Sequence, residues 1–260
     1  MISWVEEIGQ IESITRLDHT VARLEIIAPT AASSLHPGQF IMMRPVQASF
    51  LPRAMAPFRW DEATGRLTVF IRVLGPGTQA MAQLNPGDEV MIVGPLGRKL
   101  ELGQGPWALI GRGVGTTPLW HIARALHEQH EDIRIYLSSR NTHLLLEPQS
   151  FEKFGTVYCH TDQDDPSGRI TQLFSEHLTR GWRPRQVMVS GSRRLHRDVA
   201  YAQKQWSFSA SVFVEEKMAC GIGWCKGCAT GQKWRLLCTE GPTIPLQEVI
   251  DDYEFDQTAN

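Results

Sequence analysis

Four sulfur atoms are the most reactive set this chain carries. Cys220, Cys225 and Cys228 fall in the stretch "CGIGWCKGC", spaced C-x4-C-x2-C, and Cys238 follows after nine intervening residues. The chain has only five cysteines, so placing four of them between 220 and 238 is a concentration of chemistry. In a reducing compartment, clustered thiols read as metal ligands or redox groups rather than as disulfides. Structural zinc prefers two C-x2–4-C knuckles that face each other. Here only Cys225 and Cys228 have that spacing. C-x4-C-x2-C with a distant fourth cysteine is a spacing that holds a [2Fe–2S] cluster. A loop around such a cluster must turn successive backbone N–H groups toward sulfur. Glycine permits the positive φ and the close approach this needs, and Gly221, Gly223 and Gly227 supply it. The spacing therefore points to a [2Fe–2S] cluster on the four cysteines, with zinc or a bare cysteine loop as the alternatives.

A one-electron centre needs an electron source. "LIGRGVGTTPL" places Gly111, Gly113, Gly115 and Thr116 between an apolar strand-like run and a helical pattern. Such a turn can bring backbone amides toward the pyrophosphate of a nicotinamide nucleotide. The plainer reading is a tight turn needed for packing, because the spacing is not a full G-x-G-x-x-G. Pro118 suits a first helical turn. Arg140, in "SSRNTH", either pairs with a nucleotide or is a solvated loop arginine.

The elements that must position these groups change character along the chain. Residues 1–102 read as short strands ("GQIESITRL", "VARLEIIA", "GQFIMMRPV", "RLTVFIRVL", "DEVMIVG") punctuated by Gly, Pro, Asp and Asn. That rhythm suggests an antiparallel barrel or sandwich, with one helix in "TQAMAQL" that Thr78 can cap. "LGQGP" at 102–106 reads as a linker. Over 103–210 strands alternate with helices, as in "WALIG", "PLWHIARALHEQH" and "IRIYLSS", which implies a Rossmann-like parallel α/β domain. Residues 211–260 form a small cysteine lobe. Cys159, in "GTVYCH", is expected to be a plain buried thiol. His143, His160 and His196 are expected at the surface or as caps.

Composition bounds the function. Hydrophobic residues make up 42% and charged residues 21%, with a net charge of −2. A packed core is expected. Nothing resembles the concentrated basic patch of a nucleic-acid footprint. No apolar run approaches the roughly 20 residues of a membrane span. The first residues lack a basic start and an apolar stretch, so a cytoplasmic address is expected.

Taken together, the order of β-domain, nucleotide domain and cysteine loop resembles the electron-transfer subunit of two-component dihydroorotate dehydrogenase, within the ferredoxin–NADP reductase superfamily. "PGQFIMMRP", "LPRAMAPF", "IRVLGPGTQAMAQLNPGDEVMIVGPLG", "EEKMACGIGWCKGC" and "CTEGP" carry the resemblance. It implies FAD in the β-barrel, held in part by Arg53, Ala54, Met55 and Ala56, by Phe70, Ile71 and Arg72, and by Gly77 and Thr78. An arginine can neutralise the flavin pyrophosphate through bidentate hydrogen bonds. The implied activity is electron transfer from NAD(P)H through FAD and the [2Fe–2S] cluster to a catalytic partner, by analogy an FMN-containing dihydroorotate dehydrogenase subunit of pyrimidine biosynthesis, in a hetero-oligomer. No side chain is expected to act as a general acid or base. The chemistry belongs to the cofactors.

The departures from the pattern gather on the flavin and nicotinamide side. Ala54-Met55-Ala56 stands where the family has Pro-x-Ser after the arginine, so a hydroxyl near the flavin ring is missing. Arg112 interrupts a run of glycines. Ser190, Ser192 and Leu195 replace the Cys, Pro and Met of a segment beside the nicotinamide. The gap before Cys238 is closer to subunits of hydrogenase and sulfite reductase complexes. The gap keeps an electron-transfer subunit of such a complex as one alternative, and the changes at 54–56 and 190–195 motivate another, a docking or relay subunit that has lost nicotinamide turnover. The choice between NADH and NADPH stays open. Trp224, inside the cysteine loop, is a shield for the cluster, a contact for the partner or an anchor for the loop.

Overall fold

The computed structural model describes residues 4–48, 50–231 and 233–251. The chain forms two compact units. One comprises Met1–Leu100, Glu216–Ala229 and Leu236–Pro242, and the other Glu101–Glu215, Thr230–Arg235 and Thr243–Asn260.

The first unit is a curled antiparallel sheet. Its elements are β1 (Val5–Arg16), β2 (Val21–Ile27), α1 (Pro29–Ser34), β3 (Phe40–Pro45), β4 (Arg53–Met55), β5 (Arg59–Asp61), β6 (Arg66–Arg72), α2 (Pro76–Ala82) and β7 (Glu89–Leu96). The strands lie in the order β4-β3-β7-β1-β2-β6-β5. Side chains alternate across a strand, and the inward set is apolar. Ala22, Leu24 and Ile26 of β2, Leu67, Val69 and Ile71 of β6 and Val90 and Ile92 of β7 form one core with Ile41 and Met43. Turn chemistry sets the registers. Asp18 Oδ1 accepts from the N–H groups of Thr20 (2.7 Å) and Val21 (2.9 Å) between β1 and β2. Asp61 Oδ1 accepts from Ala63 N–H at 2.9 Å between β5 and β6. This is the local Asx bonding that makes Asp a turn former.

The second unit runs β8 (Trp107–Arg112), α3 (Leu119–Glu128), β9 (Ile133–Ser139), β10 (Thr156–Thr161), α4 (Ile170–Thr179), β11 (Gln186–Ser190), α5 (Arg193–Trp206) and β12 (Ser209–Phe213). After it come the short β13 (Ala229–Thr230), β14 (Arg235–Leu236), α6 (Leu237–Glu240) and β15 (Thr243–Pro245). The six-stranded sheet has the order β10-β9-β8-β11-β12-β15. β15 is antiparallel to β12, and the other neighbours are parallel. Strands covered on both faces read as continuous apolar runs, as Trp107, Ala108, Leu109 and Ile110 do. The strand order reverses between β8 and β11. Ligands of open α/β sheets bind at that switch point, beyond the carboxyl ends of the strands.

Three expectations need correction. Cys159 is exposed rather than buried, because β10 is an edge strand and Cys159 falls on its open face. Pro118 is the residue before α3, with φ −67°, rather than a member of its first turn. His196 is only 3% exposed, where a surface or capping residue was expected. With Val199 and Ala200 it forms an i, i+3, i+4 stripe on the inner face of α5, the spacing that puts residues on one helix face.

That burial has a consequence for stability. Burial, and secondarily the nearby Arg193, push the His196 imidazole down to about 4. The unfolded ring titrates near pH 6.5. The neutral buried ring therefore contributes its full stability above about pH 6.5 and loses it as pH falls toward 4. About 2 kcal/mol should disappear between pH 6.5 and 5 from this group alone. His196→Gln should flatten that part of the curve. Urea unfolding at a series of pH values checks it, and an unchanged slope in the variant contradicts the assignment.

Candidate functional site

The cysteine loop is shaped by backbone before side chains. Gly221 (φ 71°), Gly223 (φ 80°) and Lys226 (φ 59°) sit in the left-handed region and fold 220–228 back on itself. The folding aims amides at sulfur. Gly223 N–H donates to Cys238 Sγ at 3.1 Å and Cys225 N–H to Cys220 Sγ at 3.4 Å. The Sγ atoms of Cys228 and Cys238 are 3.2 Å apart. Cys228 and Cys238 are buried, and Cys225 is exposed. Burial works against ionisation of Cys220, but N–H groups of Cys225, Ile222 and Trp224 outweigh it and bring its thiol to about 7. Cys238 goes the other way, to about 12, through burial and the adjacent Cys228 thiol. Four sulfurs, two of them accepting main-chain N–H bonds, suit a thiolate-held inorganic group, because such bonds stabilise sulfur charge. Among the described residues no three His, Cys, Asp or Glu side chains converge on a single metal ion. Trp224 is 85% exposed, so it is not an anchor of the loop.

The loop is pressed onto the first unit's sheet. A Cβ at Gly221 would come within 2.7 Å of Met42 Cγ and 2.8 Å of Leu96 Cδ1. Gly97 N–H donates to the Cys238 carbonyl (3.2 Å), and Arg98 N–H to that of Gly241 (2.7 Å). Met42 is in turn the β3 partner of Ala54 on β4, with Met43 opposite Arg53 and Ile41 opposite Met55. A single residue thus touches the cysteine loop with its side chain and the arginine-bearing strand with its backbone.

On β4, the Arg53 guanidinium lies over the Phe50 ring, 5.3 Å from its centroid. It donates to the Leu51 carbonyl. It also fills the space a side chain at Gly77 would take, since a Cβ there would meet Nη2 at 2.7 Å. A cation resting on the first turn of α2 faces the positive end of the helix, an arrangement that favours an anion between them. Thr78 does not cap α2 from outside. Gly75 is the N-cap, and Thr78 Oγ1 reaches back from the third helical position to accept from Leu74 N–H (2.9 Å) and Gly75 N–H (3.2 Å). Phe70 packs edge-on to Phe58 at 5.1 Å, and Arg72 is exposed. Ile71, between them, points into the core. It has no side chain to offer a ligand. Ala54, Met55 and Ala56 are half-buried, with Met55 packed on the core.

In the second unit the glycine turn follows β8 as a 3-10 helix, Gly113–Thr116. Gly111 of β8 pairs with Ser190 of β11 across the switch point. Gly115 has no room for a side chain, because a Cβ there would come within 2.6 Å of Gly191 Cα. Thr116 is buried beside Gly111. Ser190 is wholly buried, and its hydroxyl has no partner among the described residues. Ser192 caps α5 by accepting from Leu195 N–H at 3.3 Å, and Leu195 is buried. The Arg112 guanidinium is paired with Asp162, Nη2 to Oδ2 2.5 Å. That hydrogen bond holds the Asp162 carboxyl below the usual carboxylate range. Arg140 is exposed at the end of β9. Sequence reasoning missed Met42 and Asp162. Met42 looks like one more strand methionine, and Asp162 is one acid in the run "DQDD".

Comparison with known proteins agrees with this layout. Residues 8–100 match the model of an oxidoreductase FAD-binding domain. Residues 215–250 match that of the iron-sulfur cluster binding domain of dihydroorotate dehydrogenase B. The electron transfer subunit of dihydroorotate dehydrogenase B (NAD(+)) from Caldanaerobacter subterraneus subsp. tengcongensis is 30% identical over 227 residues, covering 83% of this chain and 87% of that one. The subunit of the same name from Enterococcus faecalis is 27% identical over 94% of this chain and 98% of its own. Among solved structures, an NADH-dependent reduced ferredoxin-NADP oxidoreductase superposes with a TM-score of 0.84 at 21% identity, covering 95% of this chain and 91% of that one. Ferredoxin-NADP+ reductase from Plasmodium falciparum gives 0.59 at 14% identity, covering 76% and 89%. These two likenesses concern the fold alone. With similarity of this extent running through both its barrel and its cysteine loop, the chain belongs to the family of dihydroorotate dehydrogenase B electron transfer subunits.

Proposed function

We propose that this chain takes electrons from NADH and delivers them, through FAD and a [2Fe–2S] cluster, to a catalytic dihydroorotate dehydrogenase subunit in a hetero-oligomer. In this reading residues 1–102 bind FAD, 103–210 bind the nicotinamide nucleotide and 211–260 carry the cluster. The observation that carries it is the double contact of Met42, which ties the strand of Arg53 to the loop of Cys220, Cys225 and Cys228. When bound, FAD converts two-electron to one-electron chemistry and the cluster relays single electrons.

The chain's own groups bind, orient and shield. Arg53 neutralises a flavin phosphate, and Gly77 leaves space for its guanidinium. Thr78 braces the first turn of α2, and Phe70 and Arg72 project from the outward face of β6. Ala56 offers no hydroxyl, so the flavin ring is tuned from main chain alone at that position. Gly111, Gly113, Gly115 and Thr116 shape the nucleotide turn. Cys220, Cys225, Cys228 and Cys238 hold the cluster, with the amides of Gly223 and Cys225 directed at its sulfur ligands. The described cysteines are free, which suits a cytoplasmic setting where thiols stay reduced.

Anaerobically purified protein should contain iron, acid-labile sulfide and FAD, and its flavin absorbance should bleach with NADH. Iron-free material would overturn the reading. Flavin that stays oxidised under NADH would favour the relay role instead. Cys225 is the exposed ligand and the least involved in packing. Cys225→Ser should therefore lose most of the iron and sulfide while FAD stays bound. Loss of FAD in parallel would show that the loop and barrel do not hold their cofactors separately.

Gly77→Val tests the flavin end. It drives a branched side chain into the Arg53 guanidinium and should weaken FAD binding by about 10- to 100-fold, the range of one lost charge-assisted contact. Fluorescence titration with FAD reads it. Wild-type affinity in this variant would remove Arg53 from the flavin site.

A further inference from the structure

We propose that Gln39 is a positioning residue for the cluster ligand Cys238, acting through the main chain of Gly97 and Arg98. The inference rests on the reading of Cys220, Cys225, Cys228 and Cys238 as the holders of a [2Fe–2S] cluster. It concerns what keeps the last of those sulfurs where the other three need it.

Cys238 sits in α6, which has only four residues. One turn of helix is too short to be stable alone, so its place comes from bonds to its surroundings. The cysteine loop supplies two of them. Leu237 N–H donates to the Cys228 carbonyl at 3.3 Å, and Gly223 N–H donates to Cys238 Sγ at 3.1 Å. The barrel supplies two more, both from one dipeptide. Gly97 N–H donates to the Cys238 carbonyl at 3.2 Å, and Arg98 N–H to that of Gly241 at 2.7 Å. Gly97 has φ 78°, and a Cβ on it would come within 2.8 Å of the Gly241 carbonyl oxygen. The dipeptide is thus pressed against the end of α6.

A side chain backs it from behind. In a trans peptide the C=O points away from the N–H, so the Gly97 carbonyl faces away from the bond that Arg98 makes to Gly241. That carbonyl accepts from Gln39 Nε2 at 3.2 Å. At the other corner of the amide, Oε1 accepts from His36 N–H at 3.1 Å. A carbonyl on one side and an N–H on the other leave the amide a single orientation. Gln39 is 6% exposed and Gly97 is buried. With the Gln39 donor removed, the Gly97 carbonyl finds another partner only by moving. Movement there is carried by two hydrogen bonds into α6, and so to Cys238. The turn that bears Gln39 is held independently, by Gln39 N–H on the His36 carbonyl and Leu100 N–H on that of Pro37. Loss of the amide therefore acts on the dipeptide rather than on the turn.

The atom affected is the Cys238 sulfur. Hydrogen bonds to sulfur are among the settings of an iron–sulfur potential. Reduction adds negative charge, so a longer bond from Gly223 to Cys238 Sγ makes reduction harder.

The test uses the full chain, purified anaerobically with its cofactors. Gln39→Met keeps the length of the side chain and removes the amide. It should weaken iron retention against a chelator by about tenfold, the low end of the range for the outer partners of a metal ligand. Its midpoint potential should fall and its reduced EPR spectrum should change, while FAD content stays at the wild-type level. Gln39→Asn keeps the amide but stops one methylene short of Gly97. It should give the same changes, and it reports if Gln39→Met fails to fold. Asp18→Ala is the control, since it removes the bonds of the β1–β2 turn. It should lower barrel stability without moving the potential or the spectrum. Wild-type potential, spectrum and iron retention in the Gln39 variants overturn the positioning role and leave the cluster reading in place. So does an equal shift in Asp18→Ala. Parallel loss of FAD in the Gln39 variants, or failure of both to fold where Asp18→Ala folds, makes Gln39 a prop of the barrel and overturns the role as well. Wild-type protein without iron overturns the cluster reading itself.

Discussion

The contact between Gly221 and Met42 sets how closely the cysteine loop approaches the sheet. At 2.7 Å from Met42 Cγ, a Cβ at residue 221 has no place to go, and with φ at 71° the backbone there already excludes most side chains. Met42 has little room to yield. It is buried in β3, and its main chain is registered against Ala54. The cysteine loop is thus set down on the sheet at a depth set by steric contact. The two main-chain bonds from Gly97 and Arg98 to Cys238 and Gly241 hold its far side. Side-chain packing alone tolerates repacking. A glycine seated against a strand and bracketed by backbone hydrogen bonds does not. For electron transfer, where distance and orientation are what the protein supplies, that rigidity is the useful property.

Charge is handled in a different way in each unit. Arg53 has its position enforced by an absence, the missing side chain of Gly77, and by the Leu51 carbonyl and the Phe50 ring. It is a cation prepared for an anion. Arg112 is instead paired with a carboxylate, that of Asp162. The sulfur ligands follow a third logic. Main-chain N–H groups from a glycine-bent loop are aimed at the sulfurs of Cys220 and Cys238.

What was legible in the sequence is what is local. The cysteine spacing, the glycine turn after an apolar strand and the alternation of β2 and β6 are statements about neighbours, and periodicity or turn chemistry carries them. The inward set Leu67, Val69 and Ile71 already says that Phe70 and Arg72 face the other way and that Ile71 has only main chain to offer. Pairings across the chain were not legible. That Gly77 is glycine because of Arg53, that Met42 bridges two segments, and that Arg112 is answered by one particular acid of "DQDD" follow only once strands are in register. His196 was misread for a related reason. A histidine between arginines looks solvated until the inner stripe of α5 is drawn through Val199 and Ala200. Cys159 erred in the opposite sense, since an apolar-looking strand says nothing about whether it is an edge.

The departures from the family pattern fall where the fold imposes least. Gly221 and Gly223 combine positive φ with a touching neighbour, so any side chain there strains the backbone and meets Met42 or Thr239. By contrast, Gly113 also has a positive φ, but nothing stands within 4 Å of a Cβ placed on it. Its neighbour Arg112 has an extended backbone that any residue adopts. A side chain as long as arginine can be introduced there without disturbing β8. Its only demand is for a partner, and the edge of the sheet provides Asp162. Ser190 and Leu195 are buried, but leucine is close to methionine in volume, and serine is close to cysteine and replaces a weak donor with a strong one. Substitution therefore altered the polar chemistry at the carboxyl ends of β8 and β11 while leaving their packing intact. The cluster loop, where packing and chemistry are held by the same atoms, had no such latitude.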